Sequence, residues 1–120
     1  MAMSDVNGRV VLVDDDREML QELEEMLEFE GFQIIAVPIV EDIGEVDWTD
    51  VDTLVVDFFI PGSSGPEIAE NARLMNPDVT VVFVSGADLN HLLEREHIPG
   101  ARVLSKPVDP DALLELIDKT

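Results

Sequence analysis

Val10-Val11-Leu12-Val13-Asp14-Asp15-Asp16 is the stretch on which the reading of the fold turns. Four apolar residues in a row, too short for a helix, read as a strand buried on both faces. The run stops abruptly on three carboxylates. The same pattern recurs downstream: Leu54-Val55-Val56 ends on Asp57, Val79 to Val84 ends on Ser85, and Val103-Leu104 leads into Lys106-Pro107. In an open parallel sheet with helical crossovers, strand ends that share a direction meet along one edge, and ligands bind at that carboxyl edge. Three carboxylates, a hydroxyl and an ammonium would converge there.

The segments between these runs predict helices. Over Arg17–Glu30, Met19, Leu20, Leu23, Met26 and Leu27 form one apolar stripe at helical spacing, and Gly31 follows as a cap. Phe32–Val37 reads as the second strand and Asp52–Val56 as the third. A helix over Pro66–Met75 begins with proline in its first turn and is stopped by Asn76-Pro77. Val79–Val84 is the fourth strand, Asp88–Glu96 a helix ended by Ile98-Pro99-Gly100, and Ala101–Leu104 the fifth strand. Asp109 caps a last helix over Asp109–Asp118, with Pro110 at its first position. Pro38–Val51 has no clean stripe, and Gly44 interrupts it, so a short or distorted helix is expected around Glu41–Val46. The repeated strand-helix alternation predicts an α/β domain: a doubly wound, five-stranded parallel sheet in the order 2-1-3-4-5. Its switch point falls between strands one and three, which end in Asp14-Asp15 and Asp57.

Composition is consistent with this picture. The 120 residues suit a single domain over 1–120, with residues 1–8 expected as a flexible N-terminus. No apolar run approaches the roughly 18 residues of a spanning helix, and no apolar leader opens the chain. The absence of cysteine excludes disulfides, thiolate metal sites and thiol catalysis, and points with the missing leader to the cytoplasm. Net charge is −20, concentrated in the first 60 residues, which hold 2 basic and 17 acidic side chains. Such a chain is repelled by nucleic acid and by anionic membranes. The excess acid reads either as a solvated surface or as a docking face for a basic partner.

Crowded carboxylates repel and raise one another's pKa unless a cation joins them. Mg²⁺ prefers oxygen ligands and also meets phosphoryl oxygens. A carboxylate can act as nucleophile and form an acyl phosphate. Ser85 and Lys106 then offer donors to the remaining phosphoryl oxygens, and transfer through a loose transition state asks mainly for such positioning and charge compensation.

Four stretches make a family resemblance specific: Val-Leu-Val-Asp-Asp-Asp at 11–16, Asp-Phe-Phe-Ile-Pro-Gly-Ser-Ser-Gly at 57–65, Val-Phe-Val-Ser-Gly at 82–86 and Leu-Ser-Lys-Pro at 104–107. In that order and at those separations the chain resembles the receiver domain of two-component response regulators, of the chemotaxis-regulator type, over nearly its whole length. The resemblance implies a flavodoxin-like three-layer sandwich. It implies Asp57 as phosphoacceptor, Asp15 as a direct Mg²⁺ ligand, Asp14 acting mainly through water, and the Phe59 carbonyl as a further ligand. Ser85 and Lys106 would bind phosphoryl oxygens, and the Lys106-Pro107 bond would be cis. The donor would be a histidine kinase or histidine phosphotransfer protein. The output partner stays open, and a weak or phosphorylation-dependent homodimer is compatible with the family. Catalysis would extend only to the domain's own phosphorylation and dephosphorylation.

The chain also departs from the family. Val103 stands three residues before the lysine, where an aromatic switch residue is common, and the chain has no tyrosine. Phe59 and Ala87 occupy positions that influence phosphoryl hydrolysis, and Gly86 replaces the commoner alanine. Phe58 and Phe59 read as packing residues, Trp48 as a partly buried anchor, Asp16 as a helix cap, and His91 and His97 as ordinary helix positions. Two other readings stay open. One is a small Mg²⁺-dependent phosphohydrolase with an aspartyl nucleophile, which would usually carry a second Asp where Phe59 stands. The other is a receiver-like interaction module that no longer answers to phosphate.

Overall fold

A computed structural model of the chain describes residues 8–38, 40–86 and 98–117. The expected helix over Asp88–Glu96, with His91 in it and His97 just past it, lies outside the described residues, as do Ala87 and residues 1–7 of the flexible N-terminus expected over 1–8; Gly8, the last residue of that stretch, instead belongs to the first strand.

The strands are β1 (Gly8–Val13), β2 (Phe32–Val37), β3 (Thr53–Asp57), β4 (Thr80–Ser85) and β5 (Arg102–Ser105). All pair in parallel, in the spatial order β2-β1-β3-β4-β5. The described helices are α1 (Arg17–Phe29), α2 (Gly65–Met75) and α3 (Pro110–Ile117). This is the doubly wound, flavodoxin-like order expected from the sequence.

Alternation along the central strands sorts their side chains onto two faces. Val11, Val13, Leu54, Val56, Val81 and Phe83 join Ile68, Ala69 and Ala72 of α2 on one side of the sheet. Val10, Leu12, Val55, Val82 and Val84 join Leu20, Leu23 and Leu27 of α1 and Leu113 of α3 on the other. Strands covered on both faces have no solvent-facing register. This is why their sequences run apolar without interruption.

Local chemistry starts and stops the helices as expected. Asp16 caps α1, its side chain accepting from the Met19 N–H at 3.1 Å. Gly31, with φ of 96°, carries the chain out of that helix in a backbone region other residues avoid. Ser64 caps α2 ahead of Pro66, and the Asp109 side chain accepts from the Asp111 N–H at 3.0 Å.

The weak segment carries two 3-10 helices among its described residues, Val40–Glu45 and Trp48–Asp50, and the first is the short, distorted helix expected around Glu41–Val46. Trp48 is buried more deeply than a partial anchor would be, at 7% exposure. Asn76, read from sequence as a helix stop, also brackets this region: its side-chain amide donates to the carbonyls of Trp48 at 3.1 Å and Val51 at 2.8 Å. Arg73 similarly ties α2 to the carbonyls of Val79 and Pro99. Ile35, on edge strand β2 and level with Val11, is left 38% exposed.

Candidate functional site

Strand register places the site. Val13 of β1 is level with Val56 of β3, so Asp14 and Asp57 are the next residues on neighbouring strand ends. Asp57 in turn is level with Val84, which puts Ser85 one step beyond it on β4. Ser85 is level with Ser105 of β5, and Lys106 follows, its N–H donating to the Ser85 carbonyl at 2.9 Å. Four separate apolar runs thus deliver Asp14, Asp57, Ser85 and Lys106 to one edge. Asp14, Asp57 and Ser85 are buried there, whereas Asp15 is exposed.

Lys106 organises the cluster. Its Nζ donates to Asp57 Oδ2 at 2.9 Å and lies 3.0 Å from Asp14 Oδ2. The second contact is an ion pair without hydrogen-bond alignment, so Asp14 Oδ2 is a buried oxygen that lacks an aligned donor. The other oxygen of Asp14 accepts from the Asp16 N–H at 2.9 Å. Burial, the largest influence, holds the Asp14 carboxyl above the ordinary aspartate range. The Asp16 and Lys106 contacts pull it back in part, and the Asp57 charge pushes it further up. For Lys106, burial alone would lower the ammonium. The hydrogen bond to Asp57 and the contacts with Asp14 outweigh it and hold Lys106 above the ordinary lysine value. The Lys106-Pro107 bond is cis, as the resemblance implied.

Asp57 Oδ1 accepts from the Phe59 N–H at 3.2 Å. After Asp57 the chain makes a two-stranded ribbon, Phe59–Ile60 against Ser63–Ser64, turned by Pro61 and by Gly62 with φ of 85°. α2 then starts directly beneath the site. A Cβ on Gly65 would fall 2.7 Å from the Asp57 carbonyl and 2.9 Å from Phe58 Cα, closer than real side chains approach. Phe58 is buried, as a packing role requires. Phe59 is not: it is 56% exposed, because the ribbon turns its side chain out of the core.

The donor set suits a divalent cation. Asp14, Asp15 and Asp57 each bring one carboxylate oxygen to within 4.8 Å of the others. All three are hard oxygen ligands. One ligand is exposed, leaving room for the waters that Mg²⁺ retains, and the buried Asp14 Oδ2 lacks an aligned partner. These residues fit the ion.

A doubly wound parallel domain with aspartates and a lysine gathered at its carboxyl edge is of the receiver class. The sequence profile of the response regulator receiver domain matches residues 10–118, and the chain belongs to that family. It is 29% identical over 90 residues to the transcriptional regulatory protein CpxR of Escherichia coli, covering 74% of this chain and 39% of that protein. It is 26% identical over 113 residues to the cell cycle transcriptional regulator CtrA of Caulobacter vibrioides, covering 91% and 48%. The chain therefore spans less than half the length of these relatives. Among solved structures, a response regulator receiver protein from Sinorhizobium medicae superposes with a TM-score of 0.81. It is 25% identical, with 92% of this chain and 90% of that one covered. Receiver domains bind Mg²⁺ at an acidic pocket, and Asp14, Asp15 and Asp57 form an acidic cluster close enough to hold a metal ion. Among the described residues, no helix is long and apolar enough to cross a membrane.

Proposed function

We propose that the domain takes a phosphoryl group from a phosphohistidine, carried by a histidine kinase or histidine phosphotransfer protein, onto Asp57. The pairing of Asp57 with Lys106 at 2.9 Å, beside Asp14 and Asp15, carries this reading. An oxygen of Asp57 attacks phosphorus, an O–P bond forms, the P–N bond to the donor imidazole breaks, and the imidazole regains a proton from solvent. Asp14, Asp15, Asp57 and the Phe59 carbonyl would hold Mg²⁺, which when bound supplies charge compensation to the phosphoryl oxygens. Lys106 exchanges its carboxylate partner for a phosphoryl oxygen, and Ser85 donates its hydroxyl to another.

The acyl phosphate then biases a two-state element that alters a partner-binding face. Catalysis stays confined to the domain's own phosphorylation and dephosphorylation. The strongly acidic surface favours protein partners over nucleic acid or anionic membrane, and the setting is the cytoplasm.

Intact-mass measurement after treatment with acetyl phosphate tests the reading. A single phosphoryl adduct is expected with Mg²⁺, absent with EDTA and absent in Asp57→Ala. Labelling that persists in either control overturns it. Absence of labelling in the wild type with Mg²⁺ would favour a phosphate-insensitive interaction module instead.

A further inference from the structure

Resting on the phosphoacceptor reading of Asp57, we infer that Phe58 is a positioning residue, the seat that fixes Phe59 and through it the Phe59 N–H on Asp57 and the Phe59 carbonyl at the cation site. Asp57, Phe58 and Phe59 are consecutive, and their side chains serve different ends. Asp57 faces the site, Phe58 enters the core on the α2 side, and Phe59 is largely in solvent. An exposed phenylalanine at such a turn has little reason to hold one orientation. Here its ring lies edge-on to Phe58, with centroids 5.0 Å apart and planes at 68°, a geometry that aromatic pairs favour.

Phe58 itself has nowhere to go. Phe83 backs it, also edge-on, at 5.3 Å and 70°. The Phe58 N–H donates to the Val84 carbonyl at 2.9 Å, and its own carbonyl accepts from the Gly65 N–H at 2.9 Å. Gly65 lies so close that even a Cβ would meet Phe58 Cα and the Phe83 ring. A buried ring thus anchors an exposed one; the peptide between them carries the Phe59 N–H that reaches Asp57, and the next peptide carries the Phe59 carbonyl. The Phe59 N–H to Asp57 Oδ1 bond, at 3.2 Å, is at the long end for N–H···O and depends on how that peptide is held. Misplacing ligands by a fraction of an ångström is costly in such a site.

The test compares wild type, Phe58→Leu, Phe59→Ala, the double variant, and Leu54→Ala, which thins the same core cluster away from the turn. Two quantities are read on the full chain. The first is hydrogen exchange of the Phe59 amide in metal-free protein. Phe58→Leu is expected to speed it well beyond the change in global stability, and Leu54→Ala to change it only with global stability. The second is Mg²⁺ half-saturation by calorimetry. Phe58→Leu is expected to raise it about threefold to tenfold, the range an aromatic pair contact supports. It is expected to add nothing once Phe59 is alanine. Phe59 exchange in Phe58→Leu that merely follows global stability overturns the inference, as do effects of the two substitutions on Mg²⁺ that multiply independently. A wild type that takes neither Mg²⁺ nor phosphoryl group overturns the functional reading, while the amide measurement still decides whether Phe58 holds the turn.

Discussion

Lys106 and Asp57 are 49 residues apart in sequence and joined by a 2.9 Å hydrogen bond that also brings the ammonium to Asp14. Lys106 therefore serves the metal-free fold as the counter-ion of two buried carboxylates. Truncating one partner of a buried ion pair costs about 3–5 kcal/mol, and the partial solvent access of Lys106 reduces that to about 1–3 kcal/mol. Lys106→Met is expected to lose that much stability in urea without metal. It is also expected to bind Mg²⁺ more tightly, since a competing cation is gone. Unchanged stability together with unchanged Mg²⁺ affinity would show the contact to be idle.

The two shifted groups give opposite pH signatures. The Asp14 carboxyl is raised above 3.8, so the folded state keeps its proton where the unfolded chain has lost it. Its contribution therefore weakens the fold as pH rises from 3.8 through the raised value, and the penalty persists at neutral pH. Asp14→Asn, which keeps the oxygen that accepts from Asp16, is expected to raise Tm by a few degrees at neutral pH without metal. Lys106 is raised above 10.5, so its stabilisation is complete below 10.5 and lost as pH climbs through the raised value. That alkaline loss should be absent in Lys106→Met. Melting curves at fixed ionic strength measure both, and added Mg²⁺ should raise the wild-type Tm by linkage.

Gly65→Ala forces a methyl into the Asp57 carbonyl and the Phe58 backbone. Overpacking of this kind costs about 1–3 kcal/mol. The shift falls on the peptide of Asp57, the proposed phosphoacceptor, so acetyl phosphate labelling should slow as well. Denaturant unfolding and a labelling time course report the two effects separately.

Asn76→Ala strips donors from the carbonyls of Trp48 and Val51. A loss of about 1–3 kcal/mol is expected from those unsatisfied groups. The bracket lies away from the carboxyl edge, so labelling of Asp57 by acetyl phosphate should keep its wild-type rate in the folded protein.

Phe59, apolar and 56% exposed beside Asp57, offers no polar group to orient an attacking water. A comparatively long-lived phosphoryl group is expected, with faster release in Phe59→Asn. A phosphate-release time course decides; slower release in Phe59→Asn would contradict the expectation.

That Asp14, Asp57, Ser85 and Lys106 gather at one edge could be read from the chain because each stands at or just past the end of an apolar run, and parallel pairing sends such ends to one edge. Strand limits came within a residue for the same reason. What stayed hidden is contact between elements distant in sequence. Nothing in Lys106-Pro107 announces a resting bond to Asp57, and nothing in Asn76-Pro77 announces the bracket on Trp48 and Val51. The exposure of Phe59 was missed because apolarity argues for burial, whereas the Pro61-Gly62 turn decides direction. The 3-10 pieces over 40–50 follow from a segment that lacks a helical stripe, and sequence could give their weakness but not their geometry.

The level pairing of β1, β3 and β4 has a consequence for how this chain tolerates insertion and deletion. Lengthening a connection between strands leaves Asp14, Asp57 and Ser85 side by side, because their alignment is fixed by the sheet and not by the path between strands. Removing one residue inside β3 would instead pull Asp57 down by about 3.3 Å and turn alternate side chains to the opposite face. The spacing among Asp14, Asp57 and Ser85 is stored in strand lengths, and the connections remote from the carboxyl edge are free to change length.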